Sequence, residues 1–280
     1  MSDQKLEILI TGGAGNIATI ISLKLQSKYN ITNATREQLD MLNLDKMQKY
    51  FDTHTYDIII HTAISGGRRT VEDNADVFYK NVLMFENLLS FSDRFKMIIN
   101  IDSGAIYDRK TDIMFRKEDD LKTVPTDYYG LSKYVIHKRS AGIQNVFHLR
   151  VFNIFHVTEE PDRFISKCFL SEMRKQPLII QEDRYFDFVY DADFAKIVQY
   201  YCECMKKGEI SRLPHTVNVC YKEKRKLSDV AKMIIRDPSL IKIGEHVSYH
   251  NYMGDSEVLY TFGITFDGLE KGLEMYKKKY

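Results

Sequence analysis

The sequence predicts a parallel, doubly wound α/β sheet with a smaller C-terminal α/β lobe, and three observations carry that prediction. Short apolar, β-branched runs alternate with amphipathic stretches from residue 5 to about residue 153. Three glycines, Gly12, Gly13 and Gly15, separate the first run from the first amphipathic stretch. Beyond residue 155 the alternation loosens.

"KLEILIT" (5–11) alternates and then runs apolar up to the glycines, the pattern of a buried strand. "NIATIISLKLQSKY" (16–29) carries Ile17, Ile20, Ile21 and Leu25 at helical spacing. "NITNAT" (30–35) predicts a second short strand, and "NLDKMQKYFDTH" (43–54) a short helix capped by Asn43. "YDIIIHTAI" (56–64) is a third strand, "NADVFYKNVLMFENLLSFS" (74–92) a long amphipathic helix, and "FKMIINIDS" (95–103) a fourth strand. A helix bearing "YYGLSK" (128–133) precedes a fifth strand, "NVFHLRVFN" (145–153). In the tail, 164–175, 191–205 and 227–236 read as helices, and "PLIIQ", "RYFDFVY" and "TVNVC" as short strands. No Gly/Ser/Pro-rich linker or repeat interrupts the chain. It reads as one unit of two lobes, a core over 1–155 and a smaller lobe over 156–280 partly interleaved with it.

With 280 residues the chain can bury a sizeable core, and its net charge of +1 offers no electrostatic footprint for nucleic acid. "MSDQKLEILI" lacks the apolar centre of a signal peptide, and no apolar run approaches the roughly 20 residues of a membrane span. A cytoplasmic chain with neither membrane nor nucleic acid as partner is expected. Cys168, Cys202, Cys204 and Cys220 lack the paired spacing of a zinc site, and the histidines form no H-x-x-x-H. Reduced, buried thiols and no metal are expected.

Gly13-x-Gly15-x-x-Ala18 and Gly12-x-x-Gly15-x-x-Ala18 both stand between a strand and a helix. Glycine permits the tight turn and close approach of a pyrophosphate, and the helix start supplies N–H donors. After the second strand, Asn33 and Thr35 stand where an acid would bind a ribose 2′-hydroxyl, and Arg36 follows. A guanidinium there suits a 2′-phosphate and favours NADP(H) over NAD; the alternative is a solvent-facing arginine. Tyr129 and Lys133 are four residues apart and share a helix face, whereas Tyr128 points elsewhere. A lysine beside a phenol lowers its pKa towards general acid–base use. Taken alone, the pair reads first as a surface Tyr–Lys contact.

With these pieces assembled, nearly the whole chain resembles the extended short-chain dehydrogenase/reductase superfamily, which comprises NAD(P)-dependent nucleotide-sugar epimerases, dehydratases and reductases on a Rossmann core. "TGGAGNIA" resembles its phosphate loop, "YDIIIHTAI" its third strand, "NVLMFENLL" its N-V-x-G-T-x-N-L-L helix, and "IDSGAIYD" its S-S-x-x-V-Y-G segment. "YYGLSK" matches Y-G-x-S-K, "RVFNIFH" a worn R-x-x-N-x-Y-G, "RYFDFVYDAD" R-D-F-x-x-V-D-D, and "DSEVLYTFGI" a C-terminal segment. The resemblance implies a catalytic triad of Ser103, Tyr129 and Lys133. It implies cofactor contacts from Gly12, Gly15, Asn16 and Ile17 in the loop, Arg36, Asp40 and Met41 after the second strand, and Ala63, Asn81, Tyr129 and Lys133. It implies substrate contacts from Ser65, Ser103, Asn153, Arg163 and Arg184. Arg184 has an alternative as a structural salt bridge with a nearby acid such as Asp183 or Asp187.

"ATREQLD" and the segment "AISGGRRTVEDNADVFYKNVLMFENLL" resemble the GDP-fucose synthase branch, which uses NADPH. Where that branch carries an epimerising cysteine and histidine, this chain has Ala105 and Arg163. Where 4,6-dehydratases carry an acid, Gly104 and Ala105 follow Ser103. The resemblance therefore implies an NADPH-dependent 4-ketoreductase acting on a nucleotide-sugar substrate, as a homodimer. A nucleotide-sugar 4-epimerase and a non-catalytic nucleotide-binding scaffold or redox sensor remain open.

Overall fold

The computed structural model describes residues 5–68, 71–245 and 250–278. The chain runs β1 (Glu7–Thr11), α1 (Asn16–Leu25), β2 (Asn30–Ala34), α2 (Leu44–Phe51), β3 (Tyr56–His61), α3 (Ala75–Leu89) and β4 (Phe95–Ser103). After a short 3-10 turn come β5 (Ile113–Arg116), α4 (Tyr128–Ser140), β6 (Val146–Val151) and β7 (Ile154–Phe155). The remainder is α5 (Phe164–Arg174), β8 (Leu178–Ile180), β9 (Val189–Tyr190), α6 (Asp191–Lys207), β10 (Thr216–Val219), α7 (Leu227–Ile234), β11 (Ile241–Ile243), β12 (Tyr252–Gly254), α8 (Glu257–Tyr260) and α9 (Gly268–Lys277).

Six strands form one parallel sheet in the order β10-β6-β4-β3-β1-β2. Its inner strands β1, β3 and β4 are largely apolar on both sides because both faces are covered. In β1, Ile8 and Ile10 enter one core and Leu9 the other; in β4, Met97, Ile99 and Ile101 enter the first and Ile98 the second. The first core joins α1, α6 and most of the C-terminal segment, and the second joins α2, α3 and α4. The chain reverses direction across the sheet between β1 and β3, and such a switch point opens a crevice at the strands' C-terminal ends.

The helices start where short polar residues supply caps. Asn43 accepts from Lys46 N–H at 3.0 Å, Asn74 from Val77 N–H at 3.3 Å, and Asp127 from Gly130 N–H at 2.8 Å.

The tail differs from expectation in two places. "TVNVC" is not a strand of the outer lobe: β10 pairs with β6 and forms the edge of the central sheet. "RYFDFVY" forms a strand only over Val189–Tyr190. Residues 184–188 instead touch their neighbours through single bridges, Tyr185 to Lys226 and Phe186 to Tyr252. Backbone bonds accompany these bridges, Phe186 N–H to Arg225 O at 3.1 Å and Asp187 N–H to Tyr252 O at 3.1 Å among them, and the rings of Phe186, Phe188 and Tyr252 pack together there. Three small parallel pairs, β8–β11, β5–β12 and β7–β9, complete the lobe. The four cysteines are free and buried. No helix among the described residues is long and apolar enough to cross a membrane.

Candidate active site

The crevice begins at the glycines. Gly12 sits at φ +67°, and a Cβ on it would approach Ala63 Cα to 2.8 Å, so the turn after β1 packs backbone to backbone against the end of β3. Gly13 N–H donates to Ala34 O at 2.8 Å and Gly15 N–H to Gly12 O at 2.9 Å, which folds the loop under α1. α1 starts at Asn16 with no side-chain cap, leaving its first N–H groups for an anion.

Two cavities flank this loop, and Ile64 lines both. The smaller, about 240 Å³, is lined by Gly12, Arg36, Asp40, Met41, Ala63, Ser65 and Lys80 among others. Arg36 is exposed and lies 3.8 Å from Asp40. The larger, about 680 Å³, holds Asn16 and Ile17 of the α1 start together with Ser103, Tyr129 and Lys133. Asn153, Arg163 and Arg184 line the same cavity. The uncapped helix start and the Gly12 cradle fit a dinucleotide spanning both cavities, with Arg36 at one end and Tyr129 at the other.

Ser103 ends β4, and its Oγ accepts from Ala105 N–H at 3.2 Å. Tyr129 and Lys133 lie one turn apart near the start of α4, and Tyr128 points outwards. Asn81 lines neither cavity. Its buried amide holds Ser65 N–H at 2.7 Å, Ser65 O at 3.0 Å and Ser132 Oγ at 3.1 Å, so it braces the loop after β3 against α4. Ser65, read from sequence as a substrate contact, lies on the smaller cavity away from the triad.

The expectation that Lys133 lowers the Tyr129 pKa is corrected here. Burial is the dominant influence and pushes the phenol well above its ordinary value; the Ser103 hydrogen bond and the Arg109 charge oppose it only in part. The Lys133 ammonium donates instead to Ile101 O at 2.8 Å, and its Nζ lies 5.7 Å from the Tyr129 ring centre. Burial lowers Lys133 itself to about 8, although Asp102 pulls the other way. Asp102 is in turn paired with the fully buried Arg150 at 3.0 Å. Burial is the largest single influence and disfavours its charge, but Arg150, His148, Lys133 and His137 together outweigh it and hold the carboxyl below its ordinary value.

Arg184 is not paired with Asp183 or Asp187. Asp183 accepts from Ser228 N–H and Oγ, both at 2.8 Å, and Asp187 pairs with Lys224 at 2.9 Å. Arg184 instead reaches Glu182 at 3.3 Å and His250 O at 3.1 Å, while its buried Nε has no hydrogen-bond partner among the described residues. Arg163 donates to Asn153 Oδ1. Ala105 is buried and lines neither cavity.

Among the described residues, one grouping, Asp102, His137 and His148, brings potential metal-ligand atoms within 4.8 Å. Both His148 nitrogens are already engaged, with Asn100 at 3.0 Å and Ser140 at 2.7 Å, and Arg150 occupies Asp102. A cation there would face the guanidinium. Sequence reasoning passed over Arg68, Arg109, Lys167 and Tyr252, which also line the larger cavity. The "GGRR" run was a usable signal for Arg68; Tyr252 arrives from a distant strand and carries none.

Three comparisons bear on this arrangement. A GDP-L-fucose synthase of Azorhizobium caulinodans is 26% identical over 137 residues, 46% of this chain and 44% of that protein. The aligned stretch thus spans less than half the length of that curated relative. The fold matches a Campylobacter jejuni GDP-mannoheptose C4 reductase solved with NADP (TM-score 0.81, 18% identity, 100% of this chain and 99% of that one). It also matches a Bacillus anthracis dTDP-4-dehydrorhamnose reductase in complex with NADP (TM-score 0.81, 16% identity, all of both chains). The model of the NAD dependent epimerase/dehydratase family matches residues 8–220, and the chain belongs to that family.

Proposed function

We propose that the chain is an NADPH-dependent reductase that converts the 4-keto group of a nucleotide-activated sugar to an alcohol, with Tyr129 as proton donor. One observation carries the reading: a single cavity gathers Ser103, Tyr129 and Lys133, with the α1 start and with Asn153, Arg163 and Arg184. A nicotinamide dinucleotide held by Gly12, Gly15, Asn16, Ile17 and Ala63 supplies the hydride. Arg36 meets its 2′-phosphate, with Asp40 and Met41 lining the same end. The GDP-L-fucose synthase relative and the two NADP-bound reductases support the substrate class and the cofactor.

In this reading the Tyr129 phenol gives its proton to the carbonyl oxygen, and the Ser103 hydroxyl hydrogen-bonds the same oxygen. Stabilising the developing alkoxide by one such donor is worth about 3 kcal/mol. Burial, which raises the Tyr129 pKa, keeps the phenol protonated at rest. That state suits a reductase, whereas a 4-epimerase must first oxidise its sugar and needs a base. Lys133 binds the ribose of the cofactor, and Arg184, with its unpartnered buried Nε, meets the substrate pyrophosphate.

Reduction proceeds without epimerisation. Ala105 offers no acid or base, and Arg163 stays protonated. Of two possible substitutes, Tyr107 is buried and lines neither cavity; its hydroxyl, with one proton to share, lies 2.9 Å from both Lys117 O and Asn218 Oδ1 and accepts from Arg150. His156 does line the cavity, with Nδ1 against Thr158 Oγ1 at 2.9 Å. The test is NADPH oxidation by purified protein against GDP-, dTDP-, UDP- and CDP-linked 4-keto sugars. Oxidation with at least one is expected; cofactor binding with no oxidation by any would favour the scaffold.

A further inference from the structure

We propose that Arg109 is the positioning residue of the catalytic tyrosine, holding the Tyr129 ring in place between its guanidinium and the Gly67 backbone. The proposal rests on the reading of Tyr129 as proton donor.

Four independent features converge on it. The Arg109 guanidinium carbon lies over the Tyr129 ring, 5.6 Å from its centre, within the range of a cation–π contact. The fork is fixed from behind by Asp127, with Nη2 to Oδ1 at 2.6 Å and Nε to Oδ2 at 3.4 Å. Asp127 is also the cap of α4, so the same carboxylate sets both the helix start that carries Tyr129 and the arginine that covers its ring.

Asp73 closes the arrangement from the loop after β3. Its Oδ2 lies 3.7 Å from Arg109 Nη2, and its Oδ1 accepts from Gly67 N–H at 2.9 Å. Gly67, at φ +79°, presses against the ring: a Cβ there would come within 2.7 Å of Tyr129 Cε2. Finally, Asp108 adopts φ +66°, a region residues with side chains rarely enter. The next residue, Arg109, lines the cavity. A surface salt bridge would need none of this.

The test uses full-length protein labelled with 3-fluorotyrosine, with the Tyr129 fluorine line assigned by its loss in Tyr129→Phe. In Arg109→Met the Tyr129 line shifts and broadens while other tyrosine lines hold. Turnover falls about tenfold to a hundredfold, the scale of a small misplacement of a catalytic group. The KM for NADPH stays within about twofold, because the cofactor contacts are untouched. Arg109→Lys keeps the charge but not the fork, and falls between wild type and Arg109→Met. A Tyr129 line unchanged in both variants overturns the proposal. An altered line in a protein that reduces no 4-keto sugar leaves Arg109 in its role and removes the reductase reading instead.

Discussion

Lys133 is a buried cation whose burial carries a cost to the fold, and that cost is measurable. Its pKa falls from the ordinary 10.5 to about 8, with burial as the main cause. A folded pKa below the unfolded one means the unfolded chain binds more protons between those values, so stability rises with pH across that window. Below about pH 8 both states are charged and the full penalty applies, about 3 kcal/mol by linkage. As the pH climbs from about 8 to 10.5 the folded lysine is already neutral and the penalty disappears. Lys133→Met removes this dependence. It also loses the bond to Ile101 O, whose dependence on protonation is already contained in the folded pKa. Urea unfolding of wild type and variant at pH 7 and pH 10 reads the difference directly. Relative to the variant, the wild type gains about 2 kcal/mol between the two. A difference that stays flat with pH would show that Lys133 is solvated, and the account of its environment would be wrong.

Three further outcomes follow from the site. Tyr129→Phe loses at least about a hundredfold in turnover with NADPH binding kept, whereas Tyr128→Phe, which alters a side chain outside the cavity, loses little; steady-state kinetics of both decide it. Arg36→Ala raises the KM for NADPH several-fold, about 1 kcal/mol for an exposed charge, and leaves that for NADH nearly unchanged; a wild type that prefers NADH contradicts it. Arg184→Ala weakens sugar-nucleotide affinity about tenfold or more by calorimetry, and unchanged affinity with a lowered melting temperature makes it structural.

Much of this was legible because it depends on local chemistry. The glycine loop announces itself, since few residues tolerate φ +67° with another backbone 2.8 Å away. β1, β3 and β4 are apolar on both sides, so their runs stand out from the helices between them. The Tyr129–Lys133 spacing alone places both on one face of α4. What escaped depends on distance through space. β10 reads as any short strand, and only its pairing with β6 puts it in the central sheet. The "RYFDFVY" alternation suggested a strand, but residues 184–187 split their backbone bonds between two distant segments, around Lys226 and Tyr252, and form only isolated bridges. The Tyr–Lys electrostatics were misjudged because spacing says nothing of burial, and burial dominates both groups. Arg109 looks like an ordinary charge in "YDRKTD", and its place over Tyr129 exists only once Asp73 and Asp127 converge on it.

The most direct test of the central claim is isotopic: conversion of a nucleotide-linked 4-keto sugar in deuterated water with NADPH deuterated at the transferable position. Reduction without epimerisation places the cofactor's label at C4 and leaves C3 and C5 unlabelled, in a single product that keeps their configuration. Solvent deuterium at C3 or C5, entering as fast as the product forms, would mean that a base in the cavity, with His156 the first to examine, removes those protons, and the chain would be an epimerase as well as a reductase.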